Sequence, residues 1–350
     1  MNRDFWTNKT VLITGHNGFK GSWLVKWLDM LGAYTIGFSM EAEKESGIHQ
    51  LSLSGKHIEI TGDVRNRESL KAIEKYKPEI VIHLAAQAIV GKAKESPVET
   101  FETNLMGTVN LLEVLRGIDS VKAVVVVTSD KVYQNNETME GYVEDSPLMG
   151  NEPYSCSKVC EEQAAKAYYE SYFKAMGIGV AVARASNAFG GGDYHFDRLI
   201  PYLEKCYFEN TPSVIRNPNA VRPWQYVLDL LNGYLILAEK LYQDFTEYSG
   251  AYNFGPDKKE LYTVSEIADM ICNKTVIGRK QDYYEAGLLF IDSSKSRQLL
   301  GWKTIFNVKA GIEQTTLAYE EYFRNGNTNS LYEKRITEFE RQMEEDNGNK

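Results

Sequence analysis

The chain has 350 residues, 43% of them hydrophobic and 25% charged, a balance that suits a globular protein long enough for two lobes around a sizeable core. Its 39 basic against 48 acidic residues leave a net charge of −9, which argues against a nucleic-acid scaffold, because phosphate binding needs a basic face. No run approaches the roughly 20 apolar residues of a membrane span, and no apolar leader precedes the first strand-like segment, so neither membrane insertion nor secretion is expected. The four cysteines, without CxxC spacing, are too few for a disulfide framework, and buried reduced thiols in a cytoplasmic protein are expected.

Apolar runs alternate with amphipathic stretches in the order of β-α-β units. Strands are expected at 9–14 (KTVLIT), 34–39 (YTIGFS), 58–61, 80–84 (IVIHL), 122–128 (KAVVVVT) and 178–185 (IGVAVARA). Helices are expected over 22–31, 67–77, 98–118 and 154–176. Near-continuous Val/Ile runs mark strands buried on both faces, so the fold class is α/β, a Rossmann-like doubly wound parallel sheet. Ligand is then expected beyond the C-terminal ends of the strands. Residues 1–186 form this nucleotide-binding domain, with return segments near 225–255, namely a helix at 227–242 and a strand at 251–254. Residues 187–324 supply mainly a smaller, discontinuous C-terminal substrate lobe, with helices at 260–274 and 295–300. The polar tail 325–350 is expected to be a solvated or frayed helix.

Between the first strand and first helix lies Gly15-His16-Asn17-Gly18-Phe19-Lys20-Gly21, a GxxGxxG turn. Such a turn lets backbone approach a pyrophosphate and aims helix N–H groups at its charge, so a dinucleotide is expected here. The second strand ends at Ser39 with neither the usual acidic ribose acceptor nor an Arg for a 2′-phosphate; Glu41 and Glu43 follow closely. NAD is favoured over NADP. Asp63, at the end of the third strand, suits either the adenine edge or a simple turn.

Tyr154 and Lys158 form a YxxxK at the start of a helix, on one face at i,i+4. A lysine so placed lowers the phenol pKa and favours a phenolate base. Where the fifth strand ends, Thr128, Ser129, Asp130 and Lys131 present hydroxyl, carboxyl and amine together; proton traffic and a solvated, self-capped turn are both open for that segment.

The segments ITGHNGFKGSWL, LAAQ, TNLMGTVNLLE, TSDKVY, GYVEDSPLMGNEPYSCSK, GGGDYHFDRLIP, IRNPNAVRPWQYVLDLLNGYLILAE and LLGW extend the pattern to about residue 303. With them the chain resembles the extended short-chain dehydrogenase/reductases, and within these the CDP-glucose 4,6-dehydratase group. The resemblance implies an NAD-dependent lyase acting on a nucleotide sugar, CDP-glucose, in deoxysugar biosynthesis toward surface polysaccharide. Tyr154, supported by Lys158 and Ser129, takes the 4-hydroxyl proton; Asp130 protonates the departing 6-hydroxyl. Lys131, where related dehydratases carry a glutamate, is the implied C5 base. The cofactor set implied is the glycine turn, in which His16 and Lys20 reach the phosphates, with Asp63, Val64, Leu84, Ala85, Ala86, Asn104, Tyr154 and Lys158. Gln87, Asn187, Arg198 and Arg222 are implied to hold the substrate, the last three around its diphosphate.

The resemblance further implies a homodimer built on the helices after the fourth and fifth strands, whose apolar residues include Leu111, Leu112, Val114, Tyr168, Tyr169 and Tyr172. The chain departs from the group after LAAQ, where a Pro-Leu-Val-Arg-Arg-Ser-Tyr type segment is replaced by residues 88–96 (AIVGKAKES), and at Ser186, usually glycine. Two alternatives stand beside the dehydratase. A 4-epimerase of the same fold needs the tyrosine but no acid/base pair for elimination, and a non-catalytic NAD-binding sensor would have lost the catalytic set.

Overall fold

The computed structural model describes residues 1–44, 46–272, 274–278, 286–326 and 329–348. Seven parallel strands form its centre: β1 (Thr10–Thr14), β2 (Tyr34–Ser39), β3 (His57–Thr61), β4 (Ile80–His83), β5 (Ala123–Ser129), β6 (Gly179–Ala185) and β7 (Gly250–Phe254). Their order is β7-β6-β5-β4-β1-β2-β3, so the winding reverses between β1 and β4. Register fixes what meets there: Thr14 lies opposite Phe38 of β2 and His83 of β4. A crevice is expected beyond the strand ends at such a reversal.

The principal helices are α1 (Phe19–Met30), α2 (Gly107–Leu115), α3 (Pro153–Tyr168), α4 (Leu199–Phe208), α5 (Val227–Gln243), α6 (Val308–Asn325) and α7 (Asn329–Gly348). Side chains alternate across each strand and divide the core in two. Val11, Ile13, Val125 and Val127 face α1 and α5, whereas Leu12, Val81, Val124 and Val126 face Leu111, Leu112 and Leu115 of α2. Each fully buried side chain of this kind contributes about 1.5–3 kcal/mol of transfer free energy. Both faces are covered, as the Val/Ile runs imply.

Several elements differ from the sequence expectation. The helix expected over 98–118 is helix Pro97–Phe101, a wide π turn over Glu102–Met106, and then α2. That expected over 67–77 is one turn, Arg67–Leu70, followed by tighter winding to Tyr76 and a left-handed Lys77. A short helix, Val90–Glu95, occupies the segment after LAAQ. Within 260–274 the helix is Val264–Ile271; residue 273 lies outside the described residues.

The tail is not a solvated or frayed helix. Tyr332, Ile336, Phe339 and Met343 recur at i, i+4, i+7 and i+11, the spacing of one helical stripe, and that stripe is buried. Tyr332 packs on Trp23 and Phe339 on Trp27 of α1, and the Trp27 indole donates to Glu340 at 2.9 Å. Residues 327–328 and 349–350 of the tail lie outside the described residues.

All four cysteines are free, with Cys206 and Cys272 buried, but Cys156 and Cys160 only half-buried. Leu111, Leu112 and Val114 belong to the chain's own core, so they offer nothing to a partner. Among the described residues no helix is long and apolar enough to cross a membrane.

Candidate active site

β1 ends at Thr14 and the chain turns at Gly15, whose φ of 70° is left-handed. A Cβ on Gly15 would meet the Ala85 backbone at 2.8 Å, and one on Gly21 would meet the Gly15 carbonyl at 2.2 Å. Glycine is therefore a steric requirement at both positions. Gly18 caps α1 without any side-chain hydrogen bond, leaving the first-turn amides for a ligand. The cleft above them has a volume of about 490 Å³. Gly15, Asn17, Gly18 and Phe19 line it on one side, Asp63 and Val64 on another, and Leu84, Ala85 and Ala86 on a third. This cradle of bare backbone at a helix N-terminus fits a dinucleotide diphosphate.

Six of the expected cofactor residues are not in that lining: Gly21, His16, Lys20 and Asn104, and also Tyr154 and Lys158, which belong to the second half of the site. Gly21 acts through its missing side chain. The His16 side chain, by contrast, does not reach toward the cleft: it is buried under Gly37, and its Nε2 lies 3.3 Å from a Glu59 carboxylate oxygen. Burial pushes its pKa down, against the pull of Glu59. A ring packed between strands cannot also touch phosphate, so this expectation is corrected.

Lys20, one turn into α1, leans toward the other half of the site and donates to the Tyr234 hydroxyl at 3.3 Å. Burial, then Arg198 and Lys158, bring its pKa down to about 7. The fourth, Asn104, is fully buried and ties the loop after β4 to α3: it accepts from the Gln87 amide N–H at 2.8 Å and donates to Ser157 Oγ at 2.9 Å.

Asp63 is clamped by Arg65, with a guanidinium nitrogen 2.6 Å from its carboxylate, which holds the carboxyl below its usual pKa. Residues the sequence reading missed also line the cleft: Met40 and Arg65 at one end, and the 192–196 loop across it. Ser39, Glu41 and Glu43 are there too, at the end of β2. Loop lining leaves no periodic signal, and only proximity to a strand end could have found it.

The second half of the site lies where β5 ends. Ser129 Oγ donates to Asp130 at 3.0 Å and accepts from the Lys131 amide at 3.2 Å. Asp130 is buried and its Oδ2 has no hydrogen-bond partner among the described residues. Burial raises its pKa, against the pull of Lys131, the Ser129 bond, Arg222 and Lys20, so a protonated carboxyl is favoured beyond the ordinary aspartate range.

α3 opens here for local reasons. Pro153 suits a first helical position, and the Glu152 carboxylate accepts from the amides of Tyr154 and Ser155, closing a capping box. That start brings Tyr154 beside Ser129 and Asp130. Lys158 does pull the phenol pKa down, as the spacing predicts, but burial is the larger effect and the net shift is upward. The Lys158 ammonium donates to the Val127 carbonyl at 3.1 Å and sits 2.7 Å from Glu161.

The substrate residues expected from sequence are less uniform. Gln87 uses its amide locally, donating to the Ile89 carbonyl and to Thr100 and accepting from the Ile89 N–H. Arg198 pairs with Asp193 at 2.8 Å, so the salt bridge and the phosphate role compete for one guanidinium. Arg222 is buried and faces Asp130 electrostatically. Asn187 lies in a short parallel ladder opposite Trp224.

Comparison with known proteins agrees with this geometry. A CDP-glucose 4,6-dehydratase of Salmonella typhimurium is 41% identical over 318 residues, covering 86% of this chain and 88% of that protein. Among solved structures, an epimerase of Methanothermobacter thermautotrophicus superposes with a TM-score of 0.82 at 22% identity, covering 95% of this chain and 96% of the other. The dTDP-glucose 4,6-dehydratase DesIV of Streptomyces venezuelae, solved with NAD and TYD bound, gives 0.77 at 22% identity, covering 89% and 97%. The family model described as GDP-mannose 4,6 dehydratase matches residues 12–315. The chain is therefore a member of the GDP-mannose 4,6 dehydratase family.

Proposed function

We propose that this protein catalyses the NAD-dependent 4,6-dehydration of a nucleotide hexose, converting CDP-glucose to CDP-4-keto-6-deoxyglucose. The observation that carries the proposal is the convergence of Ser129, Asp130 and Lys131 with Tyr154 and Lys158 beside the glycine-turn cleft, in a chain 41% identical to a protein of that activity.

Bound NAD supplies the hydride acceptor for C4 and, once reduced, the hydride donor for C6. Tyr154, hydrogen-bonded to Ser129 and steadied by Lys158, takes the proton of the 4-hydroxyl as C4 is oxidised. The new C4 carbonyl acidifies the C5 proton, which Lys131 removes, and Asp130 delivers its proton to the 6-hydroxyl leaving as water. A carboxyl whose pKa burial has raised is suited to that donation. Arg222 and Arg198 take diphosphate oxygens with Asn187, Arg198 exchanging Asp193 for phosphate. The amides at Gly15 to Gly18 and the lining residues Asp63 and Val64 hold the cofactor. The Asp130-Lys131 pair disfavours a 4-epimerase, which has no water to eliminate.

A cytoplasmic setting is part of the proposal, supported by the four free cysteines. So is a homodimer, supported by Val98, Met106, Tyr172 and Met176, exposed apolar residues on or beside the helices after β4 and β5. The test of the activity is incubation with NAD and CDP-, dTDP-, UDP- and GDP-hexoses, read by mass spectrometry. Loss of one water from CDP-glucose supports the proposal. Loss from another nucleotide alone would overturn the substrate, and an isomer of unchanged mass would favour epimerisation.

A further inference from the structure

One buried acid near this site has no part in the chemistry above. Glu161, one turn beyond Lys158 on α3, is fully buried, and its Oε2 lies 2.7 Å from the Lys158 ammonium. Neither of its carboxylate oxygens accepts a well-aligned hydrogen bond. Its neighbour Glu162 is different, because it takes two bonds from Arg184 Nε, one from Arg184 Nη2 and one from the Thr128 hydroxyl, and so ties α3 to β5 and β6. No comparable structural duty explains Glu161. A buried ion pair is seldom more stabilising than apolar residues of the same volume.

We infer that Glu161 is a positioning residue that holds the Lys158 ammonium and, through its charge, sets how readily Tyr154 gives up its proton; this rests on Tyr154 being the base at C4. Lys158 has three N–H donors. The Val127 carbonyl takes one, and the Glu161 carboxylate lies against the ammonium as its ion-pair partner. An ionised Glu161 balances Lys158, leaving less positive potential to favour a phenolate at Tyr154. A neutral Glu161 leaves the ammonium unbalanced, and the phenolate becomes its natural partner.

The surrounding elements supply few other charges. From β4 comes His83, whose Nε2 is 4.0 Å from Glu161 and which burial and Lys158 keep neutral, with its pKa down to about 3. From α2 comes the Thr108 hydroxyl, which lies 2.8 Å from His83 Nε2 and also favours the charged form of Glu161. Glu162 lies on the same helix, and Tyr154 itself faces Asp130 after β5 and Tyr234 on α5. Lys131, Arg222 and, from α1, Lys20 act on Asp130. Burial, opposed chiefly by Lys158, brings the Glu161 pKa up to about 7.

The test is Glu161→Gln, which keeps the shape and removes the charge, beside Glu161→Asp, which keeps the charge. Two readouts are followed against pH: the rate of C4 oxidation in a single turnover, and phenolate absorbance after subtraction of a Tyr154→Phe titration, which needs no substrate. Glu161→Gln is expected to move both acid limbs down by about one pH unit, a tenfold rate gain on the limb. Glu161→Asp is expected to stay near the wild-type limb. Two unmoved limbs, or equal shifts in both variants, would overturn the role of Glu161. A phenolate titration that moves while the rate limb does not would keep the coupling and overturn Tyr154 as the base.

Discussion

Gly21→Ala tests the cofactor cradle through a single methyl group. The added Cβ would lie 2.2 Å from the Gly15 carbonyl and 2.7 Å from the His16 backbone, where real Cβ atoms essentially never come within 3.0 Å. Both obstacles are backbone, so the turn and the start of α1 must separate by about 0.8 Å or more, enough to stretch an amide–phosphate hydrogen bond beyond useful length. Each charge-assisted bond is worth about 1.5–3 kcal/mol. Losing one weakens cofactor binding about 10- to 150-fold. The assay is a fluorescence titration with NADH, with circular dichroism to establish that the variant is folded. A folded Gly21→Ala protein that binds NADH as tightly as wild type would refute the steric argument and the cofactor site together.

Other consequences follow from buried groups. Asp130→Asn should lower kcat for water loss by about 10²- to 10⁴-fold, while C4 oxidation continues and nicotinamide absorbance rises; full-rate product formation would contradict the acid role. Glu204 is buried between α4 and α6, bonded to Thr316 at 2.7 Å, and burial pushes its pKa up to about 8. Its raised folded pKa favours the native state at low pH, an advantage lost as the unfolded carboxyl ionises from about pH 4.5 up to about 8. Glu204→Gln should therefore be more stable than wild type at pH 8, by up to about 4 kcal/mol, and nearly equal at pH 4; parallel unfolding midpoints across that range would count against it. Phe339→Ala, which empties a fully buried site between α7 and α1, should cost about 3–5 kcal/mol in denaturant unfolding, whereas an unshifted midpoint would mean that the tail does not belong to the cooperative unit.

The strands were legible almost to the residue. β2 is found at its expected bounds and β5 and β6 within a residue of theirs; β5 and β6 are buried on both faces and run largely in Val and Ala. The helices were less legible where tertiary contacts distort them. The wide turn at Glu102–Met106 contains Asn104, whose side chain bridges two elements distant in sequence, and periodicity carries no signal for that. The tail misled because Glu, Lys and Arg surround its apolar stripe and mask a spacing that Trp23 and Trp27 complete.

In the site, glycine spacing and YxxxK were readable because they follow from backbone approach and from helical pitch. The inward turn of His16 was not, since it depends on Gly37 of β2 leaving room for the ring. Glu161 could be found only as a carboxylate one turn after Lys158, a spacing common on solvated helices; its complete burial is what distinguishes it.

The central claim is that one cofactor carries hydrogen from C4 to C6 while Asp130 and Lys131 remove water between. Its most direct test is a single incubation of the protein and NAD with CDP-glucose deuterated at C4, with the product examined by NMR and mass spectrometry. A product lighter by one water that carries the deuterium at C6 is the expected outcome. Water loss with the label washed out to solvent, or the label still at C4, would contradict it.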